Sequence, residues 1–257
     1  MATLPADLRR LEIGGGLIRL EEDGIRLSLP ALGRGYADAQ LDDTSGRPRH
    51  RFLHHPVFQM SVRARASTAN PVGTLGFGLW NDPFGFSLGL GGAARRMPAA
   101  PQALWFFNGS PPNDLAFARP GVASGWKAAA LRSPRLPWPL VVAGGGLVLA
   151  AGLVRRLQAA LVRTALHRVQ ASEVRLDFRL DEWHTYALEW IEGSAAFRVD
   201  GEIVLETRAT PTPPLGFVTW IDNQFAVLSP SQGMRFGVVP VPEPQFLELR
   251  NLTVGAA

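Results

Sequence analysis

Residues 183–206, WHTYALEWIEGSAAFRVDGEIVLE, decide the fold. His184, Tyr186, Leu188 and Trp190 alternate with Thr185, Ala187, Glu189 and Ile191, the period-two pattern of a strand with two unlike faces. Glu192-Gly193-Ser194 turns the chain, and Phe197 and Val199 then alternate with Arg198 and Asp200. Asp200-Gly201 is a tight-hairpin dipeptide, because a type I′ turn needs positive φ at both central residues. Ile203 and Leu205 continue beyond it. A strand, a turn and a hairpin in this order make an antiparallel meander.

The same alternation recurs on both sides of this stretch. Ile18 and Leu20 lead through Glu21-Glu22-Asp23-Gly24 to Ile25, Leu27 and Leu29, a first hairpin. Phe58, Met60, Val62, Ala64 and Ala66 mark a half-buried strand, and residues 73–80, GTLGFGLW, an apolar strand whose small residues let a second layer or a ligand come close. Residues 102–108, QALWFFN, and 215–221, LGFVTWI, read as further strands. Val174, Leu176, Phe178 and Leu180 predict another, and Leu247 with Leu249 a closing one. The 257 residues include 27 Gly and 21 Pro, which suits many short strands joined by turns. The expectation is an all-β chain, one domain over residues 1–257, built as a two-sheet antiparallel β-sandwich of jelly-roll type.

W-H-T-Y-A-L-E-W followed by F-R-V-D-G resembles the concanavalin A-like lectin/glucanase superfamily, specifically glycoside hydrolase family 16. The resemblance implies the sandwich fold and places the catalytic strand at residues 102–108. In that family the strand carries E-x-D-x-E or E-x-D-x-x-E, with two carboxylates serving as nucleophile and general acid/base about 5–5.5 Å apart. This sequence has no acidic residue from Pro83 to Asn113. No catalytic residue can be carried over, and the chain is expected to bind rather than to hydrolyse, with a glycoside hydrolase whose active site is displaced as the less favoured alternative. It also lacks a nucleophile elbow, a phosphate-binding glycine loop and an H-E-x-x-H pair.

An apolar insertion at 134–170 interrupts the strands. Residues 136–154, LPWPLVVAGGGLVLAAGLV, run 19 positions without a charge, and Arg155, Arg156, Arg163, His167 and Arg168 follow in a helical pattern. Three arrangements compete: a helix or helical hairpin packed on the protein's own surface, a segment dipping into or lying on a membrane, and a membrane span. A span would put the two halves of one sandwich on opposite sides of a bilayer, and Pro137, Pro139 and Gly144–146 weaken a long helix. In the interfacial arrangement Trp138 sits at the headgroup level and the arginines meet anionic lipid. The docking set is Trp138, Leu140, Val141, Leu147, Leu149, Leu153, Arg155, Arg156 and Arg163, and the expected partner is a membrane surface or a membrane-protein complex, for which the chain would be an accessory or scaffold subunit.

The alternative is a carbohydrate-binding module. Trp80-Asn81-Asp82, Trp105, and Trp220 with Asp222-Asn223 place aromatic rings beside short polar side chains at strand ends. Sugars stack on such rings, but buried tryptophans and turn-forming polar residues give the same pattern.

Other classes are set aside. The formal charge is +4 and the pI near 10.5, with Lys127 the sole lysine, yet no run of arginines marks a nucleic-acid tract. Without cysteine there is no disulfide framework or thiolate metal site. His50, His54 and His55 match no metal-binding spacing, so no metal and no cofactor are expected beyond a structural calcium ion, for which Asp42-Asp43 or Asp222 would serve. The opening MATLPADLRRLEIGGG offers no apolar signal region, which reads as a cytoplasmic protein, peripheral at a membrane if the insertion docks there.

Overall fold

A computed structural model describes residues 7–82, 96–118, 121–150, 155–229 and 233–255. In chain order its strands are β1 (Arg9–Ile13), β2 (Leu17–Leu20), β3 (Gly24–Leu29), β4 (Asp38–Asp42), β5 (Phe58–Ala66), β6 (Thr74–Trp80), β7 (Gln102–Gly109), β8 (Gly125–Arg132), β9 (Gln170–Arg175), β10 (His184–Ile191), β11 (Ser194–Val199), β12 (Glu202–Thr207), β13 (Gly216–Asp222), β14 (Gln224–Ser229), β15 (Gly233–Val238) and β16 (Gln245–Gly255). Two helices, α1 (Trp138–Ala150) and α2 (Arg155–Leu166), lie between β8 and β9. The first sheet has the order β1-β4-β13-β6-β7-β8-β9, the second β12-β11-β10-β5-β16-β3-β2, and β14 and β15 pair as a separate ribbon. Neighbours in all of them are antiparallel. The chain is therefore the expected β-sandwich with a helical insertion.

The alternation in the sequence sets which side chains go inward. On β5, Phe58, Met60, Val62, Ala64 and Ala66 are buried while Gln59 and Arg63 are exposed. Leu75, Phe77, Leu104, Phe106 and Trp126 of the first sheet meet Tyr186, Leu188, Phe197 and Leu247 of the second in one core. Phe106 lies at its centre, with ring centroids 5.5 Å from Phe77, 5.1 Å from Tyr186 and 5.4 Å from Phe197. The meander of residues 183–206 forms β10, β11 and β12, and Asp200, with φ of 50°, makes the left-handed turn together with Gly201.

One expected strand is displaced. The alternation at 174–180 predicted a ladder, but β9 ends at Arg175. Beyond it the chain crosses between sheets: the Leu176 N–H donates to Trp126 of the first sheet, and the Leu180 carbonyl accepts from Ala66 of the second. Leu176 and Leu180 are buried during the crossing and Phe178 stays outside, so the hydrophobic pattern is kept without a partner strand.

The first sheet is buried on both faces. Its outer face carries a second cluster: Ala103, Trp105 and Phe107 of β7, Ala129 and Leu131 of β8, and Val218 and Trp220 of β13. Glycines on β6 make room for these rings. A Cβ on Gly76 would meet the Phe106 carbonyl oxygen at 2.3 Å and the Trp220 ring at 3.0 Å. At Gly78, where φ is +149°, it would meet the Leu104 carbonyl oxygen at 2.3 Å and the Trp105 Cα at 2.6 Å. Gly78→Ala is expected to cost about 1–3 kcal/mol through overpacking, read as a lower denaturant midpoint with an unchanged slope.

Candidate functional site

Two features of the first sheet's outer side bear on function: an aromatic floor and the helical insertion beside it. The floor is set by register. Trp220 faces Gly76, which faces Phe107, and Gly78 lies opposite Trp105. The large rings thus spread over the small residues of β6. Trp80 and Trp220 stack nearly parallel at 6.3 Å and 7°, and Trp105 lies 5.8 Å from Trp220. Leu115 and Phe117, after β7, and Val169, after α2, pack onto this floor. Trp105 is left 9% exposed and Trp220 8%. The Trp220 Nε1 donates to Thr74 Oγ1 at 2.8 Å, while the indole nitrogens of Trp80 and Trp105 are buried with no partner.

The polar residues proposed from the sequence to hold a sugar are used by the chain itself. Asn81 accepts from the Gln102 N–H at 3.0 Å and donates to the Ala100 carbonyl at 2.9 Å. Asp82 pairs with Arg96. Asn223 accepts from Ala37 N and donates to the Gly35 and Val239 carbonyls. These contacts fasten strand ends and loops, so the structure joins the three tryptophans in one floor but does not turn Asn81, Asp82 or Asn223 toward a ligand.

Asp222 has a neighbour that the sequence reading missed. It stands opposite Asp38 in the β13–β4 register, both on the outer face. Asp222 Oδ1 accepts from Thr74 Oγ1 at 2.7 Å and from the Gln224 N–H at 3.0 Å, and Asp38 Oδ1 is buried without a partner. Burial pushes the Asp222 carboxyl up to about 6, against the pull of those hydrogen bonds. Burial and then the charge of Asp222 push Asp38 well above the usual carboxylate range, and burial raises the Tyr36 hydroxyl beside them. A carboxyl with a partner across the strand pair shares one low-dielectric site, which disfavours two charges. No local pattern could have revealed this, because the two strand positions, 38 and 222, lie 184 positions apart in the sequence.

The loop acids serve the chain itself. Asp42 Oδ1 accepts from the Thr44 N–H and hydroxyl and from the Ser45 N–H. Asp43 accepts from the Phe217 N–H, and its other oxygen lies 2.6 Å from His54 Nε2. Among the described residues no group of three or more His, Asp or Glu is placed to hold a metal.

The insertion is a helical hairpin with two unlike arms. α2 seats Gln158, Val162 and Leu166 inward and packs against the β14–β15 ribbon. Gly233 of β15 has no side chain where Gln158 lies, and Gln158 Nε2 donates back to the Val148 carbonyl of α1 at 3.2 Å. The ribbon is in turn tied to residue 114, whose N–H donates to Ala226 and whose carbonyl accepts from Leu228. α1 is bare by comparison. Trp138 is 50% exposed, Leu140 58% and Leu147 53%, with Leu136 and Val142 also outside. Val141 is half-buried, and Arg156 and Arg163 of α2 are exposed. Leu153 lies outside the described residues, as do the side chains of Leu149 and Arg155. Among the described residues no helix is long and apolar enough to cross a membrane.

The sequence matches no family model and no curated protein. Solved structures are similar in shape. A laminarinase from Flavobacterium sp. UMI-01 is 12% identical with a TM-score of 0.46, over 92% of this chain and 80% of that one. The Crh5 transglycosylase in complex with NAG is 10% identical with a TM-score of 0.46, over 98% and 79%. The alginate lyase AlyA1 from Zobellia galactanivorans is 10% identical with a TM-score of 0.38, over 94% and 81%. At these scores the functional reading has to come from the side chains of this chain.

Proposed function

We propose that this protein is a non-catalytic β-sandwich that docks on an anionic membrane surface through its helical hairpin, as an accessory or scaffold protein. The observation that carries the reading is the bareness of α1, which is apolar around its whole circumference, with Trp138, Leu140 and Leu147 each half or more exposed. An exposed element that is apolar all round marks an interaction surface. Charge selects the occupant: residues 115–172 contain no Asp or Glu, while Arg135 precedes the helices, Arg156 and Arg163 lie on α2, and His167 and Arg168 follow it. Apolar anchors rimmed by cations suit a bilayer with acidic headgroups, each nearby Arg adding about 1 kcal/mol. The 13 residues of α1 extend about 20 Å, shorter than the roughly 30 Å hydrocarbon core, so the hairpin would lie in the interface. Its anchor, α2, is fastened to the sandwich by Val162 and Leu166.

The test is sedimentation of the whole chain with vesicles of phosphatidylcholine alone or mixed with phosphatidylserine. Binding is expected to the mixed vesicles only and to weaken with salt. Trp138→Ser/Leu140→Ser/Leu147→Ser should abolish it, and Arg156→Ser/Arg163→Ser should reduce it, with the thermal transition retained in both. Binding indifferent to lipid charge, or unchanged in the apolar variant, overturns the reading. So does a dimer in gel filtration that the apolar variant splits.

A second reading, glycan binding at the aromatic floor, is favoured by the unpartnered indole nitrogens of Trp80 and Trp105. It requires Leu115, Phe117 and Val169 to move off the rings. Retention on a polysaccharide column that Trp80→Ala abolishes without unfolding would support it.

A further inference from the structure

The outer face of the second sheet carries a basic array that neither reading uses. Register places Arg19 of β2 opposite Arg26 of β3, Arg26 opposite Glu248 of β16, and Glu248 opposite Arg65 of β5. One row along, Arg250 of β16 faces Arg63 of β5. Like charges directly opposite one another destabilise a strand pair, and here they occur twice.

The array is a built one. Glu248 has a side chain only 2% exposed, and its Oε2 accepts from Arg65 Nε at 3.0 Å and Nη2 at 2.9 Å. Its Oε1 lies 3.5 Å from Arg250 and 3.7 Å from Arg26. The Trp183 ring gathers three guanidiniums, Arg63 at 5.3 Å, Arg65 at 4.8 Å and Arg250 at 4.7 Å, while Arg26 stacks on Phe246 at 4.5 Å. Glu21 and Asp23, at the rim, reach Arg26 and Arg250. Among the described residues Arg63 has no carboxylate within 4.0 Å, although the field of Arg63 helps to lower the Asp200 carboxyl. A guanidinium held over a ring keeps N–H groups free for an oxyanion, which it can take bidentately.

We propose that this face binds an extended acidic polysaccharide, its carboxylate or sulfate groups held by Arg63, Arg250, Arg65 and Arg26. The four arginines lie on three adjacent strands, β5, β16 and β3, and at about 4.8 Å spacing spread over roughly 10 Å across the sheet, which fits repeated anions on one chain better than a single small ion. A single-stranded nucleic acid would want open aromatic faces for its bases, and the Trp183 and Phe246 rings are already covered by guanidiniums. A lipid surface would want an exposed apolar anchor, which this protein carries on α1 instead.

The experiment is calorimetric titration of the full chain, at about 150 mM salt to screen long-range attraction. The probes are a heparin-derived decasaccharide, an oligogalacturonate, a neutral glucan, inorganic sulfate and a single-stranded oligodeoxynucleotide. An acidic oligosaccharide is expected to bind more tightly than sulfate or the oligonucleotide, and the neutral glucan not at all. Arg63→Ser/Arg250→Ser should weaken it about ten-fold or more, whereas Arg34→Ser/Arg208→Ser, an equal loss of charge at exposed positions elsewhere, should leave affinity within about two-fold. Should the first variant misfold, Arg63→Lys keeps the charge without the planar fork and is expected to lose affinity several-fold. Equal losses in the control, tighter binding of the oligonucleotide, or no oligosaccharide binding beyond that of sulfate would each overturn the proposal.

Discussion

Lys127→Met is expected to destabilise the protein by about 3–5 kcal/mol, the cost of leaving one charge of a buried pair without its partner. The pair lies at the edge of the aromatic floor, with the two side chains 2% and 0% exposed. Lys127 Nζ donates to Glu173 Oε1 at 2.6 Å and to the carbonyls of Leu115 at 2.7 Å and Val122 at 2.9 Å. Glu173 Oε2 accepts from the N–H groups of Phe117 at 3.1 Å and Ala118 at 3.0 Å. Burial lowers the lysine's affinity for its proton, and the neighbouring Glu173 charge restores part of it. The ion pair therefore does for the 115–122 segment what a strand ladder does elsewhere, by supplying partners to its buried backbone groups. Since Leu115 and Phe117 pack on the floor, the variant should also increase quenching of tryptophan fluorescence by added acrylamide. Equilibrium denaturation gives the energy. The double variant Lys127→Met/Glu173→Leu should recover only part of it, because the backbone groups of the segment remain unpaired. A midpoint for Lys127→Met equal to that of the parent would refute the assignment.

Much of this architecture was legible in the residue pattern, and the exceptions share a cause. The meander at 183–206, the hairpin around Glu21–Gly24 and the strand at 58–66 could be read because each depends on local alternation and on turn residues with a conformational reason to be there. The insertion was legible because a long uncharged run followed by arginines breaks a period-two pattern. What could not be read is whatever depends on strands distant in sequence coming side by side. Asp38 is unremarkable until β4 is placed beside β13. Arg63 and Arg250 are scattered arginines until β5 is placed beside β16. The floor tryptophans stand out in the sequence, but their cover comes from residues 115, 117 and 169, which no motif connects to them. Helix α2 points the same way. The helical run of arginines is plain in the sequence, yet the residues the helix buries, Gln158, Val162 and Leu166, are fixed by the β14–β15 ribbon against which it rests.

Asp222→Asn should stabilise the protein at neutral pH, by up to about 3 kcal/mol, which is the energy equivalent of a carboxyl held near 6 instead of its ordinary 3.8. The sign follows from proton binding. A carboxyl whose folded value is raised holds its proton more tightly when folded, so unfolding releases protons and stability falls as pH rises. The neutral form of Asp222 contributes fully below about 4, and its contribution is lost as pH climbs through about 6. Asparagine keeps an acceptor oxygen for the Thr74 hydroxyl and the Gln224 N–H and carries no charge toward Asp38. Other acidic groups also titrate in this range, so the quantity to measure is the difference in unfolding free energy between variant and parent, in which every group except Asp38, which feels the Asp222 charge, cancels. That difference should be smallest near pH 4, grow through pH 6 and level off above it, with Thr74→Val, which removes a donor to the charged form, moving the parent's midpoint upward. A difference that stays flat from pH 4 to pH 7, or a variant less stable at pH 7, would mean that water or a counter-charge reaches this pair and that the end of the first sheet is open.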